Sequence, residues 1–144
     1  MIARGMKTLE LRIERQNASA LKIANYLKAH SKVSDVFYPG LPSHPGHAIA
    51  KQQMSGFGGI MSFALDGGYE HVKKLLTTLK LVHLAASLGS VSTLAGPPRT
   101  TSHVELTEAQ RKLLGIPESL IRYSVGIENV DDLLQDLETA LASL

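Results

Sequence analysis

Cysteine and tryptophan are absent from this chain of 144 residues, and aromatic residues make up only 5% of it. Without cysteine there are no disulfides and no thiolate metal sites. No apolar stretch is long enough to span a bilayer, and the first residues, which include Arg4 and Lys7, lack the apolar run of a signal peptide. These absences predict a soluble cytoplasmic domain with no membrane partner.

Neither sign of charge dominates the sequence. The chain has 15 Lys and Arg against 13 Asp and Glu, a formal net charge of +2. The basic residues are spread among acids and form no run interleaved with aromatics, so nucleic-acid binding is not expected. A hydrophobic content of 44% and a charged content of 19% are typical of a globular protein, and the length suits one domain.

Hydrophobic periodicity predicts helices mixed with short strands. Helices are expected over 8–29, 45–53, 69–79, 107–115 and from 129 onward, and strands over 33–38, 60–65, 82–85 and around 120–128. Most connections are too short for parallel crossovers. The pattern therefore predicts an α/β fold of α+β-like, two-layer type, with one mostly antiparallel sheet of about four strands covered by helices.

Two helix starts carry capping signals. Thr107 and Gln110 have the spacing of a capping box, and Gly115 and Pro117 follow the helix end. Asn129 is placed to cap the last helix, whose apolar side includes Leu137.

The opening helix has an apolar stripe interrupted by one amide. Its apolar members are Leu9, Ile13, Ala20, Ala24 and Leu27. Asn17 lies within this stripe, so we expect its side chain to make a structural hydrogen bond.

The segment 120–128 is a strand that carries one arginine among small neighbours. Period two places Ile121, Tyr123, Val125 and Ile127 on a core face, and Leu120, Arg122, Ser124 and Gly126 on the other. A guanidinium beside small residues is able to bind a ligand carboxylate through two parallel hydrogen bonds. The alternative from the residues alone is that Arg122 pairs with an internal acid or lies over the sheet edge.

Five segments in order resemble one enzyme family. They are Arg4-Gly5-Met6-Lys7-Thr8-Leu9-Glu10-Leu11-Arg12, Tyr38-Pro39-Gly40-Leu41-Pro42-Ser43-His44-Pro45, Gly56-Phe57-Gly58-Gly59, Leu84-Ala85-Ala86-Ser87-Leu88-Gly89 and Pro97-Pro98-Arg99-Thr100-Thr101-Ser102-His103, and they precede the strand around Arg122. Together they resemble the trans-sulfuration family of pyridoxal-phosphate enzymes, which includes methionine γ-lyase, cystathionine γ-lyase and cystathionine γ-synthase. The resemblance runs over essentially the whole chain and corresponds to the family's C-terminal part.

This resemblance implies a single substrate-side domain over 1–144, the small C-terminal domain of fold-type I enzymes. Residues 1–30 would form a long leading helix that joins a cofactor domain outside this chain. Pyridoxal phosphate would be held mainly by that domain, because the family's Schiff-base lysine belongs to a Ser/Thr-rich motif upstream of the segment at Arg4. No residue here is then the catalytic lysine, and the chain alone is predicted to be inactive.

The resemblance also implies roles for individual residues. Arg122 corresponds to the arginine that binds the α-carboxylate of the amino-acid substrate. Ser87 and Leu88 belong to the Ser-Leu-Gly turn beside the substrate. Ala86 stands where cystathionine-using relatives commonly have glutamate, which favours a methionine- or homocysteine-like side chain.

The implied function is γ-elimination or γ-replacement on sulfur amino acids, in a homo-oligomer that is a tetramer in the family. The alternative is a free-standing, non-catalytic module for interaction or oligomerisation with the same fold. No metal is expected, because His44 and His47 have no third acid or thiol nearby in the sequence.

Overall fold

Five strands form one sheet in the computed structural model, which describes residues 2–144. The strands are β1 (Val33–Phe37), β2 (Ile60–Leu65), β3 (His83–Leu84), β4 (Leu94–Gly96) and β5 (Leu120–Ser124). The helices are α1 (Ile2–Met6), α2 (Leu9–Ala29), α3 (His47–Gln53), α4 (Tyr69–Thr78), α5 (Glu108–Leu113) and α6 (Val130–Ala142), with a 3-10 turn at Pro98–Thr100. The predicted mixed α/β fold with a mostly antiparallel sheet is confirmed.

The strand order is β1-β2-β5-β4-β3, with antiparallel pairs except for the parallel pair β3–β4. The expectation of about four strands was short by one, because β4 has only 3 residues and no alternation to reveal it. In the centre of the sheet, Arg122 of β5 lies between Ser62 of β2 and Gly96 of β4. The connection from β3 to β4, residues 85–93, passes close to this point.

The core lies between the sheet and helices α2, α4 and α6. Phe63, Ile121 and Tyr123 are fully buried on one face of the sheet, as their period-two spacing predicts. From α6, Leu133, Leu137 and Leu141 are fully buried against them. One member of the predicted core face is outside the core: Ile127 is 40% exposed, because it lies beyond the end of β5.

The leading segment is two helices, not one. A turn at Lys7 and Thr8 separates α1 from α2, and the buried face of α2 begins only at Gln16. Leu9 and Ile13, predicted to be core, are 44% and 43% exposed, because they lie before Gln16, where the buried face of α2 begins. These apolar side chains form an uncovered surface at the N-terminal end of α2.

The expected hydrogen bond of Asn17 is not present. Its side-chain carbonyl oxygen is buried and has no hydrogen-bond partner within residues 2–144. The amide packs directly against Gly56, where any Cβ would collide with it. The sequence correctly marked Asn17 as a polar position in an apolar stripe, but the prediction of a satisfied Oδ1 was wrong.

Both capping predictions are confirmed. The Thr107 hydroxyl accepts a hydrogen bond from the Gln110 amide at 3.3 Å, and Gln110 Oε1 accepts one from the Thr107 amide at 2.8 Å. Asn129 Oδ1 accepts a hydrogen bond from the Asp131 amide at 2.9 Å at the start of α6.

Across residues 2–144, none of the helices is both long enough and apolar enough to cross a membrane.

Candidate functional site

The side chain of Arg122 is hydrogen-bonded to the backbone of the segment 85–89, which follows β3. Its Nη2 donates to the carbonyl oxygens of Ala85 at 3.0 Å and Ser87 at 2.8 Å, and its Nη1 donates to that of Ala86 at 3.1 Å. The sheet makes this contact possible, because β4 and β5 are neighbours and β3 lies next to β4 at the edge. The guanidinium thus lies over the sheet edge and against the segment 85–89.

The charge of Arg122 is not neutralised within residues 2–144. Carbonyl oxygens accept its hydrogen bonds but carry no net charge, and the salt bridges of the structure involve other residues. Its Nε is buried without a hydrogen-bond partner. Of the five N–H donors of a guanidinium, three are hydrogen-bonded to the segment and the Nε–H is buried, which leaves one N–H of Nη1 for a ligand. Of the two alternatives, pairing with an internal acid is therefore wrong, whereas a position over the sheet edge is what the structure has.

Ser124 contacts the other end of the same segment. It lies two residues after Arg122 on the same face of β5, and its Oγ accepts a hydrogen bond from the Gly89 amide at 3.0 Å. Gly89 has a φ of 73°, in the left-handed region that favours glycine. The segment 85–89 is therefore bonded to β5 at both its beginning and its end.

The rest of the connection, residues 90–93, is held by two further side chains. Glu128 accepts hydrogen bonds from the Thr93 amide at 2.6 Å and from the Thr93 hydroxyl at 2.8 Å. The same hydroxyl accepts a hydrogen bond from the Gly126 amide at 2.9 Å. From α2, Gln16 Nε2 donates to the Ser90 carbonyl at 2.9 Å.

Sequence reasoning missed these supports. The available signals were the polar residues Thr93 and Glu128, flanking short apolar segments, and Gly126, where a Cβ would lie 2.6 Å from the Thr93 amide nitrogen. Each contact joins residues more than thirty positions apart, for example 35 between Thr93 and Glu128, so no local pattern connects them.

The residues predicted to meet the substrate lie together on the surface of the segment 85–89. Ala86 and Ser87 are exposed, and Leu88 is 53% exposed. Ala86 and Ser87 are bonded through their carbonyls to Arg122, so the structure brings all four predicted residues into one surface. The exposed side chains of Ala86, Ser87 and Leu88 lie beside the half-buried guanidinium of Arg122, whose positive charge is not paired with an acid. This arrangement is suited to binding a small carboxylate ligand.

A second arginine cluster, also missed from the sequence, is internally satisfied. Glu118 forms salt bridges with Arg111 at 2.8 Å and with Arg99, and Arg111 is 6% exposed. The Arg99 guanidinium also lies 4.3 Å from the centre of the Tyr69 ring. Because both arginines already have an acid, this cluster is structural, in contrast to Arg122.

No lysine of the chain lies in a cofactor-like setting. Every lysine is exposed. A lysine that forms a Schiff base at neutral pH needs desolvation or a neighbouring cation to lower its pKa. None of the lysines is therefore in the setting that attachment of a cofactor requires.

The two histidines of the 44–47 turn have structural contacts. His44 Nδ1 accepts a hydrogen bond from the Gly46 amide at 3.0 Å, and the His47 ring is 2.8 Å from the Pro39 carbonyl oxygen and stacks on Phe57. Within residues 2–144, no group of three or more His, Cys, Asp or Glu side chains is arranged to hold a metal ion.

Comparison with known proteins identifies the family. The family model described as Cys/Met metabolism PLP-dependent enzyme matches residues 1–142. This chain belongs to that family. The family is dependent on pyridoxal phosphate, as the sequence resemblance implies.

Relatives with different reactions are similarly close to this chain. L-methionine gamma-lyase from Fusobacterium nucleatum subsp. polymorphum is 48% identical over 143 residues, which are 99% of this chain and 36% of that protein. The chloroplastic cystathionine gamma-synthase 1 of Arabidopsis thaliana is 44% identical over 144 residues, covering 100% of this chain and 26% of that protein. The structure of cystathionine gamma synthase from Xanthomonas oryzae pv. oryzae in complex with cystathionine superposes with a TM-score of 0.92 at 42% identity, covering 96% of this chain and 36% of that one.

The chain thus spans about a third (36%) of the length of the curated L-methionine gamma-lyase that it matches.

Proposed function

We propose that the chain is the substrate-side domain of a pyridoxal-phosphate-dependent trans-sulfuration enzyme, in which Arg122 binds the α-carboxylate of a sulfur amino acid. The observation that supports this most directly is the guanidinium of Arg122, which is partly buried, bonded only to neutral carbonyls and free of any acid within residues 2–144. A ligand carboxylate would supply the missing negative charge.

The cofactor would be held mainly by residues outside this chain, because every lysine here is exposed. When bound, pyridoxal phosphate supplies an electron sink for the bonds that are broken in the amino acid. The contribution of this chain is to bind and orient the substrate beside it.

Arg122 would fix the orientation of the substrate. A carboxylate held by the charge of Arg122 and its remaining Nη1 N–H has a defined position, and positioning of this kind contributes to rate through reduced entropy loss. Ser87 and Leu88, exposed on the same segment, would contact the substrate next to its carboxylate.

Ala86 would set the preference for the substrate side chain. It is exposed beside Ser87, and its methyl group offers no partner to a distal ammonium such as that of cystathionine. We therefore propose a methionine- or homocysteine-like substrate, processed by γ-elimination or γ-replacement. Sequence identity does not choose between these reactions, since a gamma-lyase at 48% and a gamma-synthase at 44% are nearly equally similar.

The test is steady-state kinetics of Arg122 variants in the full-length enzyme that contains this chain. Arg122→Ala removes both charge and fork, whereas Arg122→Lys keeps only the charge. A charge-assisted contact in a partly dry pocket is worth about 2–5 kcal/mol, so kcat/KM for methionine, homocysteine and cystathionine should fall by roughly tens to thousands of fold in Arg122→Ala and by less in Arg122→Lys.

The control variant is Lys112→Ala, an exposed cation on α5 that should leave kcat/KM unchanged. Cofactor content is measured by absorbance in each variant and should not change, because Arg122 is not expected to hold the cofactor. Near-wild-type efficiency of Arg122→Ala on all three substrates would remove Arg122 from the site.

A non-catalytic interaction module with the same fold is the second candidate. The exposed apolar side chains of Ile2, Met6, Leu9 and Ile13 favour contact with another domain or subunit, which is compatible with a homo-oligomer in either case. The gene separates the candidates: a reading frame that encodes a Ser/Thr-rich lysine motif before Met1 supports the enzyme, and its absence supports the module.

A further inference from the structure

Two neighbouring side chains of β5 hold the two ends of the segment 85–89. Arg122 donates to the carbonyls of residues 85–87, and Ser124 Oγ accepts from the Gly89 amide at 3.0 Å. Ser124 is 1% exposed, so water does not compete for this hydrogen bond. Ser87, whose carbonyl Arg122 binds, and Leu88, which lies between the two anchors, carry exposed side chains of the candidate site.

The conformation of the segment and the availability of Arg122 are coupled. Three N–H groups of Arg122 bind the segment, and its Nε is buried without a partner. If the segment moves, its carbonyl oxygens move away from Nη1 and Nη2 of Arg122. The guanidinium then either moves with the segment or forms hydrogen bonds with water instead. Gly89, whose φ of 73° lies in the left-handed region, ends the segment, and its amide donates a hydrogen bond to the Ser124 hydroxyl.

We propose that Ser124 is a positioning residue for substrate binding. Its hydroxyl keeps the segment 85–89 against β5, where the segment's carbonyls hold the Arg122 guanidinium in place with one Nη1 N–H left for the substrate carboxylate. The proposal rests on the carboxylate-binding function of Arg122. It assigns Ser124 no contact with the substrate and no part in the bonds that react.

The first test is made on the 144-residue chain and requires no activity. Hydrogen–deuterium exchange of peptides covering residues 85–93 is compared in wild type, Ser124→Ala and Ser119→Ala. The lost hydrogen bond should raise exchange at the Gly89 amide by about tenfold in Ser124→Ala. Ser119 is a buried serine just before β5, and Ser119→Ala should leave these peptides unchanged. Unchanged exchange in Ser124→Ala would overturn the proposal whether or not the chain belongs to an active enzyme.

The second test uses the full-length enzyme. If the carboxylate contact of Arg122 is weakened equally in the bound substrate and in the transition state, KM for the sulfur amino acid should rise by about tenfold in Ser124→Ala, with kcat within about threefold of wild type. A merely structural role would lower the active fraction and therefore kcat at constant KM. That result would overturn the proposal.

Failure of this inference is distinguishable from failure of the proposed function. If Arg122→Ala impairs turnover but Ser124→Ala leaves KM unchanged, only the role of Ser124 is wrong. If Arg122→Ala has wild-type kinetics, the carboxylate site itself is wrong, and the exchange experiment still reports whether Ser124 holds the segment.

Discussion

Glu128 and Thr93 are joined by two hydrogen bonds that fix the end of the β3–β4 connection to the end of β5. The carboxylate accepts from the Thr93 amide at 2.6 Å and from its hydroxyl at 2.8 Å, and Thr93 is fully buried. Since that hydroxyl also accepts from the Gly126 amide, its own proton has to go to Glu128. Each carboxylate oxygen of Glu128 therefore accepts one hydrogen bond from Thr93.

Glu128→Gln should destabilise the fold by about 1–3 kcal/mol, because the amide has only one acceptor oxygen for two donors and leaves one of them unsatisfied. Urea denaturation measures the change. Glu10→Gln, at an exposed acid in the first turn of α2, is the matched control and should have little effect. Equal midpoints for Glu128→Gln and wild type would show that the carboxylate is not needed.

Leu137→Ala should cost about 2–5 kcal/mol, the range for truncation of a buried leucine. Leu137 is fully buried, and it belongs to the face of α6 that packs into the core. The control is Leu113→Ala on α5, where the side chain is 87% exposed and should contribute little. A denaturant midpoint for Leu137→Ala equal to that of the parent would indicate that α6 is not docked.

The isolated chain should not attach pyridoxal phosphate at a single lysine. Every lysine is exposed, so none lies in the desolvated setting that favours attachment. We expect borohydride reduction of an equimolar mixture, followed by mass spectrometry, to show low modification spread over several lysines. One dominant modified lysine would contradict the assignment of the cofactor to residues outside this chain.

Alkaline pH should destabilise the fold. Burial raises the pKa of Tyr38 to about 12, and burial together with the charge of Glu138 raises the pKa of Tyr26. The unfolded chain ionises these phenols near pH 10, so their neutral form is favoured in the native state. This stabilisation is complete below about pH 10 and is lost as the pH rises towards about 12.

Urea midpoints measured from about pH 8 to about pH 11 check this expectation. Tyr38→Phe removes one titrating hydroxyl, which donates to the Gly58 carbonyl at 2.8 Å. It should lower the stability at neutral pH and make the alkaline decline shallower. A decline as steep as that of wild type would indicate that Tyr38 does not contribute.

Much of the local structure was predictable because it depends on residues close together in the chain. The period-two pattern of Met61, Phe63 and Leu65 predicted β2 with its observed ends, and the capping box at Thr107 predicted the start of α5. The surface of α2 was predicted less well, because Leu9 and Ile13 are apolar and fit the stripe but are 44% and 43% exposed.

The candidate site divides in the same way. The sequence by itself determined the family, through motifs in a fixed order, and marked Arg122, Ser87, Leu88 and Ala86 as candidates. Only the tertiary structure decided that Arg122 binds three backbone carbonyls of the segment 85–89 and that Ser124 binds its other end, at separations of 35 to 37 residues along the chain. Capping and periodicity depend on residues that are close in the chain, whereas these contacts exist only after β4 and β5 have paired. With 3 residues, β4 is too short to show a strand pattern in the sequence.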